Sequence, residues 1–534
     1  MRSGELFAAL SLATDLGTAQ AAEHGLRTCL LALELAELAS LDAQQLEDAY
    51  YLGLLHSIGC TADAPVTARA FGDDRAHKAA YTLIDAGRPP EVVSYLWRNV
   101  YPAAPTPQRL RAFVGALAAG PRFARVNLRS HCEVGERLGH RLRLPERSCE
   151  GLWFVFERWD GKGMPVGAAG EEIPMAARIL HAARDASAFA TAGGAEMVCA
   201  MAQRAAGSSL DPRFAGLLRE HAPALLGRVN AVDAWEQVVA AEPRPKLFGG
   251  EDLDQACQVI ADYADLKSYG TLGHSRAVAE VAEAAGWRLG LTPEAIGDLR
   301  RAAWLHDMGR VGVSAAVWEK PGPLTSGEWE QVRLHSYHTE RLLARVPALS
   351  ELARTAASDH ERLDGSGYHR GLGAQQLSPL ARVLAAADAW CAMTEPRAYR
   401  PARTPSDAAR ELREQADAGK LAGEAVDAVL GGGRRAGAAP VRAPGRAHGS
   451  RGRGVAPART RADEQASCRA AGDLAQDRRA ARRVDLLQDR GIDPRRGGAV
   501  RRRARPAQDL NRLMSMGRSP HVRQLTRAYR RLRR

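Results

Sequence analysis

Seven side chains in the C-terminal part of the chain are of a kind that does metal chemistry: His274, His306, Asp307, His335, Asp359, His360 and Asp388. Each interrupts an otherwise apolar stretch, each offers a nitrogen or oxygen donor, and no cysteine is among them. Clustered imidazoles and carboxylates suit borderline or hard divalent ions of the Fe, Mn or Zn class, and a carboxylate can bridge two of them. Two such ions about 3.5 to 4 Å apart activate a water and hold a phosphate oxygen for in-line attack. That equipment belongs to a phosphodiesterase.

The adjacent pair His306 and Asp307 lies in AAWLHDMGRVGV, residues 302–313, and YLGLLHSIGC, residues 51–60, has the same shape with Ser57 in the aspartate position. The echo extends further. His24 to His56 and His274 to His306 are both 32 residues, and His131 to Glu157 and His335 to Glu361 are both 26. ERWDGKGMPVGAAGEEIPMAARILHAARDA (157–186) lies over ERLDGSGYHRGLGAQQLSPLARVLAAADA (361–389). The copies differ mainly by an insertion, since His56 to His131 spans 75 residues and His306 to His335 only 29. Such a repeat describes a duplicated helical unit. The first copy keeps His24, His56, His131 and Asp185, but has Ser57 for the bridging acid and Val155 and Phe156 for the Asp-His pair. No two-metal site is expected there, and a packing or regulatory role is.

KSYGTLGHS, LHDMGRVGV, KPGPLTSGEWEQVRLHS, DHERLDGSGYHRGL and ARVLAAADAWCAMT occur in the order and spacing of the HD-GYP family, which this region, about 253–430, resembles. The family is a branch of the HD metal-dependent phosphohydrolases, α-helical bundles that hydrolyse cyclic di-GMP or related cyclic dinucleotides. The resemblance implies metal ligation by His274, His306, Asp307, His335, His360 and Asp388, with Asp307 bridging, and the carboxylate of Asp359 can complete the set. Asp307 and Arg310 are the catalytic candidates, and Arg310, Arg382, Asp364 and Tyr368 the substrate-contact candidates, Arg382 being equally readable as a surface cation and Asp364 read first as the former of the DGSG turn, which also shapes the pocket mouth. Several positions depart from the family pattern. Asp359 stands for the first histidine of HHE, Arg310 for the lysine of HDxGK, and His369 for the proline of GYP; Arg276 is one residue out of place. Gly270 stands where some members carry a third-metal carboxylate, so two ions are expected. Arginine neutralises phosphate charge but does not readily give up a proton.

The elements that must place these residues are helical. Ala, Leu, Glu and Arg dominate residues 1–430, apolar residues recur at three and four positions, and strand-like alternation is nearly absent. Thr325 with Glu328 makes a capping box, and Thr292 before Pro293 opens a helix that ends at the His306–Asp307 pair. The expected architecture is all-α: a degenerate helical domain over 1–240, a linker over 241–252, a metal-dependent phosphohydrolase domain over 253–430, and a basic, disordered tail over 431–534.

Charge separates that tail from the rest. The chain of 534 residues carries a net +12, but residues 431–534 hold 28 Arg, no Lys and 8 acids, a net of 28 − 8 = +20. The remainder has 74 − 28 = 46 basic and 62 − 8 = 54 acidic residues, a net of −8. DLAQDRRAARRVDLLQDRGIDPRR, residues 473–496, admits codons that one base later read ISPKTVGRHVES, which resembles the recognition-helix region of a LuxR-type helix-turn-helix domain. A frameshift near Gly431 is therefore suspected, and DNA is an expected partner only of the intact frame. The eight cysteines show no CxxC pair, against a disulfide framework or zinc ribbon. No apolar run is long enough for a membrane span, and a cytoplasmic protein is expected. The function read from these features is hydrolysis of a cyclic dinucleotide or other phosphodiester, with a homodimer allowed. A non-catalytic nucleotide- or metal-sensing transcription regulator is the alternative, and a scaffold with structural metal is a third reading.

Overall fold

In the computed structural model, residues 1–102 and 104–431 are described; the tail readings, including the suspected frameshift, concern residues outside them. The described residues contain α-helices, short 3-10 turns and no β-strand. The first copy comprises α1 (Ser3–Thr18), α2 (His24–Leu38), α3 (Ala43–Leu55), α4 (Ala64–Phe71), α5 (Asp74–Tyr81), α6 (Pro89–Asn99), α7 (Thr106–Arg141), α8 (Glu146–Gly151), α9 (Met175–Ala205), α10 (Pro212–Asn230) and α11 (Ala234–Ala240). The second comprises α12 (Gly250–Asp265), α13 (His274–Arg288), α14 (Pro293–Leu305), α15 (Ala315–Trp318), α16 (Ser326–Leu343), α17 (Ser350–Ala356), α18 (Pro379–Thr394), α19 (Pro405–Asp417) and α20 (Gly423–Leu430). The insertion is α5, α6 and the N-terminal turns of α7, while α4 stands in the place that α15 takes in the second copy.

Local chemistry starts the helices where the sequence predicts. Thr292 Oγ1 accepts from Ala295 N (3.3 Å), and Pro293 follows as the first helical residue of α14. Thr325 Oγ1 accepts from Glu328 N (3.3 Å) while Glu328 Oε2 accepts from Thr325 N (2.7 Å), the reciprocal box that opens α16. Helix α14 stops at Leu305, so His306 and Asp307 fall on its C-terminal edge and the chain turns at Met308–Gly312.

The two copies share local geometry. Asp15 accepts from Gly25 N (3.1 Å) and Asp265, 250 residues on, from Ser275 N (3.0 Å), fixing how α1 feeds α2 and α12 feeds α13. A Cβ at Gly59 would lie 2.0 Å from His131 O, and one at Gly309 2.0 Å from His335 O. In both copies a crossing helix, α7 or α16, sits directly on the turn after α3 or α14, and only glycine lets the backbones approach so closely.

The halves do not have separate cores. Buried side chains from Leu6 to Val429 form one continuous apolar cluster, and residues 1–431 lie in one compact unit. Helix α1 packs on the Met308–Gly312 turn, while Tyr263 of α12 places its hydroxyl 3.9 Å from Cys60 Sγ, in the corresponding turn of the first copy. Each copy's opening helix thus lies against the other's turn. The stretch 241–252 joins this core too: Phe248 is buried, and Ser3 N donates to Lys246 O at 2.9 Å.

Candidate metal centre

Five segments bring the seven ligand-type residues together. His274 is the first residue of α13, entered through Gly273 at φ +80°. His306 caps α14 and His335 lies inside α16, each turning its Nδ1 back to the carbonyl three residues earlier, Ala303 and Val332, so that Nε2 faces inward. Asp359 and His360 follow α17, and Asp388 lies on α18. Donor atoms group within 4.8 Å of one another as His274, His306 and Asp388; as His335, Asp359 and His360; and as His306, Asp307 and Asp359.

Asp307 stands between the first two groups. Its Oδ2 is 3.4 Å from His306 Nε2 and 3.8 Å from His274 Nε2, and its Oδ1 is 3.7 Å from His335 Nε2. One carboxylate with an oxygen toward each imidazole set is the arrangement a bridging ligand requires. Asp388 reaches His274 Nε2 (3.1 Å) and His360 Nδ1 (3.8 Å) through different oxygens.

Two buried atoms test whether this donor set fits an ion. His306 Nε2 and Asp359 Oδ2 make no hydrogen bond, although Asp307 Oδ2 lies 3.4 Å from the first and His360 Nε2 3.2 Å from the second, and burying an unsatisfied polar atom costs about 1–3 kcal/mol. Both point into the cluster, and a divalent cation satisfies them together with the remaining nitrogens and oxygens. The residues fit metal.

Electrostatics agree with a site built around positive charge. Burial alone would raise the pKa of Asp307, but Arg310 and then His306, His274 and His335 hold it well below the usual carboxylate range. Asp388 is also held below that range against its burial, by the hydrogen bond from His274 and the charge of His360. Burial opposes protonation of His274, yet hydrogen bonds to Asp388 and Glu395 lift it to about 9. His335 is likewise raised despite burial, by Asp359, whereas burial wins at His360 and lowers it.

The residues expected to meet substrate divide. Arg310 Nη1 donates to Asp307 Oδ2 at 2.7 Å and its guanidinium lies 4.1 Å from the Trp318 ring centre. Tyr368 stacks on His360 with ring centres 4.8 Å apart, at the edge of His335. Asp364 instead accepts from Ser366 N and Oγ and holds the exposed DGSG turn. Arg382 donates to the Ala374 and Leu377 carbonyls and braces that loop. The displaced Arg276 pairs with Asp262 through two bonds of 2.7 and 2.8 Å.

Three contributors escape sequence reasoning. Glu395 Oε2 accepts from His274 Nδ1 at 2.9 Å, Arg397 donates to Gly270 O at 2.8 Å while lying 3.5 Å from His274 Nδ1, and Trp318 supports Arg310. Glu395 and Arg397 sit in an irregular loop after α18, with no periodicity to mark them.

In the first copy, the residue set needs one correction. Helices α9 and α18 both begin 204 residues apart, as do His131 and His335, so the counterpart of Asp388 is Arg184 and not Asp185. One residue on a helix is a rotation of about 100°, which turns Asp185 out of register. Arg184 donates to Val155 O (2.7 Å) and to Asp185 Oδ1 (3.0 Å), placing a fixed cation where the second copy has an anion. Burial first, and Arg184's charge second, lower His24 to about 4 and His181 to about 3; His56 is lowered by burial, then by His24 and Arg184, to about 3. Phe156 packs edge-on against His131, with centroids 4.8 Å apart.

Comparison with known proteins places this architecture. The HD domain family matches residues 124–211 and 258–423, one segment in each copy. Each copy thus carries a match to the HD domain, and the likeness to the HD-GYP branch rests on that match and on the phosphodiesterases that the chain resembles. It is 29% identical over 416 residues, 77% of this chain and 90% of the relative, to 3'3'-cGAMP-specific phosphodiesterase 3 of Vibrio cholerae. It is 31% identical over 175 residues, 32% of this chain and 46% of the relative, to a cyclic di-GMP phosphodiesterase of Thermotoga maritima. A crystal structure of a cyclic GMP-AMP specific phosphodiesterase of V. cholerae superposes with a TM-score of 0.55 at 25% identity, covering 81% of this chain and 97% of that one. These matches lend no support to the transcription-regulator alternative.

Proposed function

We propose that the protein is a metal-dependent phosphodiesterase that opens a cyclic dinucleotide, and that 3'3'-cGAMP and cyclic di-GMP are the substrates to compare first. The observation that carries the reading is the buried cluster itself, with His306 Nε2 and Asp359 Oδ2 unsatisfied and Asp307 facing both donor sets. His274, His306 and Asp388 would hold one divalent ion and His335, Asp359 and His360 a second, with Asp307 shared. When bound, such ions supply Lewis acidity and a nucleophilic oxygen at neutral pH.

The chain's own residues do the rest. Asp307 stays ionised through the physiological range because of its cationic neighbours. Arg310, supported on Trp318, holds a permanent positive charge at the cluster edge where phosphate charge develops. Burial keeps the Tyr368 phenol protonated, so it can donate a hydrogen bond from its place over His360. Hydrolysis breaks one P–O ester bond and leaves a linear dinucleotide with a terminal phosphate. The long match to the cGAMP-specific relative, spanning both copies, favours 3'3'-cGAMP. Incubation of the full chain with Mn²⁺ and each dinucleotide, followed by chromatography, tests this: a linear product that disappears with chelator is expected. A metal-loaded protein that leaves both dinucleotides intact would refute it.

A further inference from the structure

We infer that Asp74, a residue of the first copy's insertion, is a positioning residue for the second copy's metal centre, acting chiefly through Arg310. The inference rests on the phosphodiesterase reading of that centre. Asp74 opens α5, and its side chain has no solvent exposure. Its carboxylate is fully used: Oδ2 accepts from Lys267 Nζ at 2.6 Å, and Oδ1 from Ser314 Oγ at 2.9 Å and Ala315 N at 2.7 Å. All three donors belong to the second copy. They come from the two segments that flank its ligands, one entering His274 and one leaving the turn after Asp307.

Each segment leads to the site in a few bonds. Ala315 begins α15, whose last residue, Trp318, donates from Nε1 to Arg310 O at 3.3 Å and lays its ring against the Arg310 guanidinium. Arg310 in turn holds Asp307. On the other side, Lys267 precedes Ser268 and Tyr269, whose Oγ and N both donate to Glu319 Oε1 at 2.7 and 2.8 Å. Glu319 directly follows Trp318, so the two segments are tied to each other as well as to Asp74.

A buried ion pair is a poor way to gain stability, because desolvating both charges offsets most of their attraction. It is a good way to fix one geometry, since three donors must converge on one carboxylate. The second copy has no residue matching Asp74, because the insertion exists only in the first. A first copy that lost its own chemistry has kept a carboxylate that orders the other's.

The test uses the full chain. Removing Asp74 alone would strand the Lys267 charge, so Asp74→Ala is combined with Lys267→Met, and a second variant, Asp74→Asn with Lys267→Met, keeps an oxygen for Ser314 and Ala315. The Ala/Met pair should lower kcat about tenfold with KM within about twofold, and the Asn/Met pair should recover to within about threefold of wild type. Adding the Ala/Met pair to Arg310→Met should cost less than about threefold beyond Arg310→Met alone, because residues acting as one unit are not additive. Amide exchange in peptides covering 308–318 should quicken in the Ala/Met pair and not in the Asn/Met pair. Fully multiplicative losses, unchanged exchange, or an Asn/Met pair as impaired as Ala/Met would each overturn the inference. If the wild type cleaves neither dinucleotide, the phosphodiesterase reading fails, while the exchange data still decide whether Asp74 orders this segment.

Discussion

Replacing Arg310 by methionine separates two things the guanidinium does at once. It donates to Asp307 Oδ2 at 2.7 Å and stacks 4.1 Å from Trp318, and burial would make an unpaired charge costly at either end. A hydrogen bond to a charged group contributes about 1.5–3 kcal/mol. Without it Asp307 loses its strongest opposing charge, and its pKa rises toward the ordinary range. The freed carboxylate has then lost its strongest internal competitor with a divalent ion, so Mn²⁺ should bind about 10-fold more tightly, 1.4 kcal/mol being one factor of ten. Turnover should move the other way. Loss of one preorganised donor at developing charge costs about 10²–10³ in kcat. Calorimetric Mn²⁺ titration and product chromatography on the same preparations give both numbers. Weaker metal binding together with wild-type turnover would refute the reasoning, because Arg310 would then be supporting the ligands rather than competing for them.

Gly309→Ala and Gly59→Ala create the same clash, a Cβ 2.0 Å from a helix carbonyl, and overpacking of this kind costs about 1–3 kcal/mol or more. Thermal melts should fall similarly for both, but only Gly309→Ala should lower bound Mn²⁺, since it displaces His335. Ser57→Asp alone should add no metal to the chain by elemental analysis, because Arg184 and Phe156 still occupy the ligand positions; an increase would show that the missing carboxylate was the only defect. The acid stability of the metal-free protein should reflect His24, His56 and His181, lowered by burial to about 4, 3 and 3. Their unfolded forms bind protons first, so stability is full above about pH 6.5 and falls as pH drops below it, by about 2 kcal/mol per histidine at pH 5. His181→Gln should flatten the melting temperature between pH 6.5 and 5, and an unchanged slope would show that His181 is not the buried neutral group described. His274, raised to about 9, acts oppositely, adding stability that is lost as pH rises toward 9.

The sequence by itself determined the helical class, the duplication and the set of nitrogen and oxygen donors. Capping boxes and proline starts are local rules, so the beginnings of α14 and α16 were legible from Thr292, Pro293, Thr325 and Glu328. Nitrogen and oxygen donors at fixed spacings likewise announced all seven residues that the fold gathers into one cluster. Tertiary structure decided what spacing cannot encode. Helical register, set by where α9 starts, puts Arg184 rather than Asp185 opposite Asp388. Glu395 and Arg397 reach His274 from a loop without periodicity. Arg382 and Asp364 turn to their own loop because carbonyls and amides there lie within hydrogen-bond reach. The bond from Asp74 to Lys267 joins residues 193 positions apart. Contacts of that range depend on how whole helices pack, and a single sequence read along its length carries the donors but not their meeting.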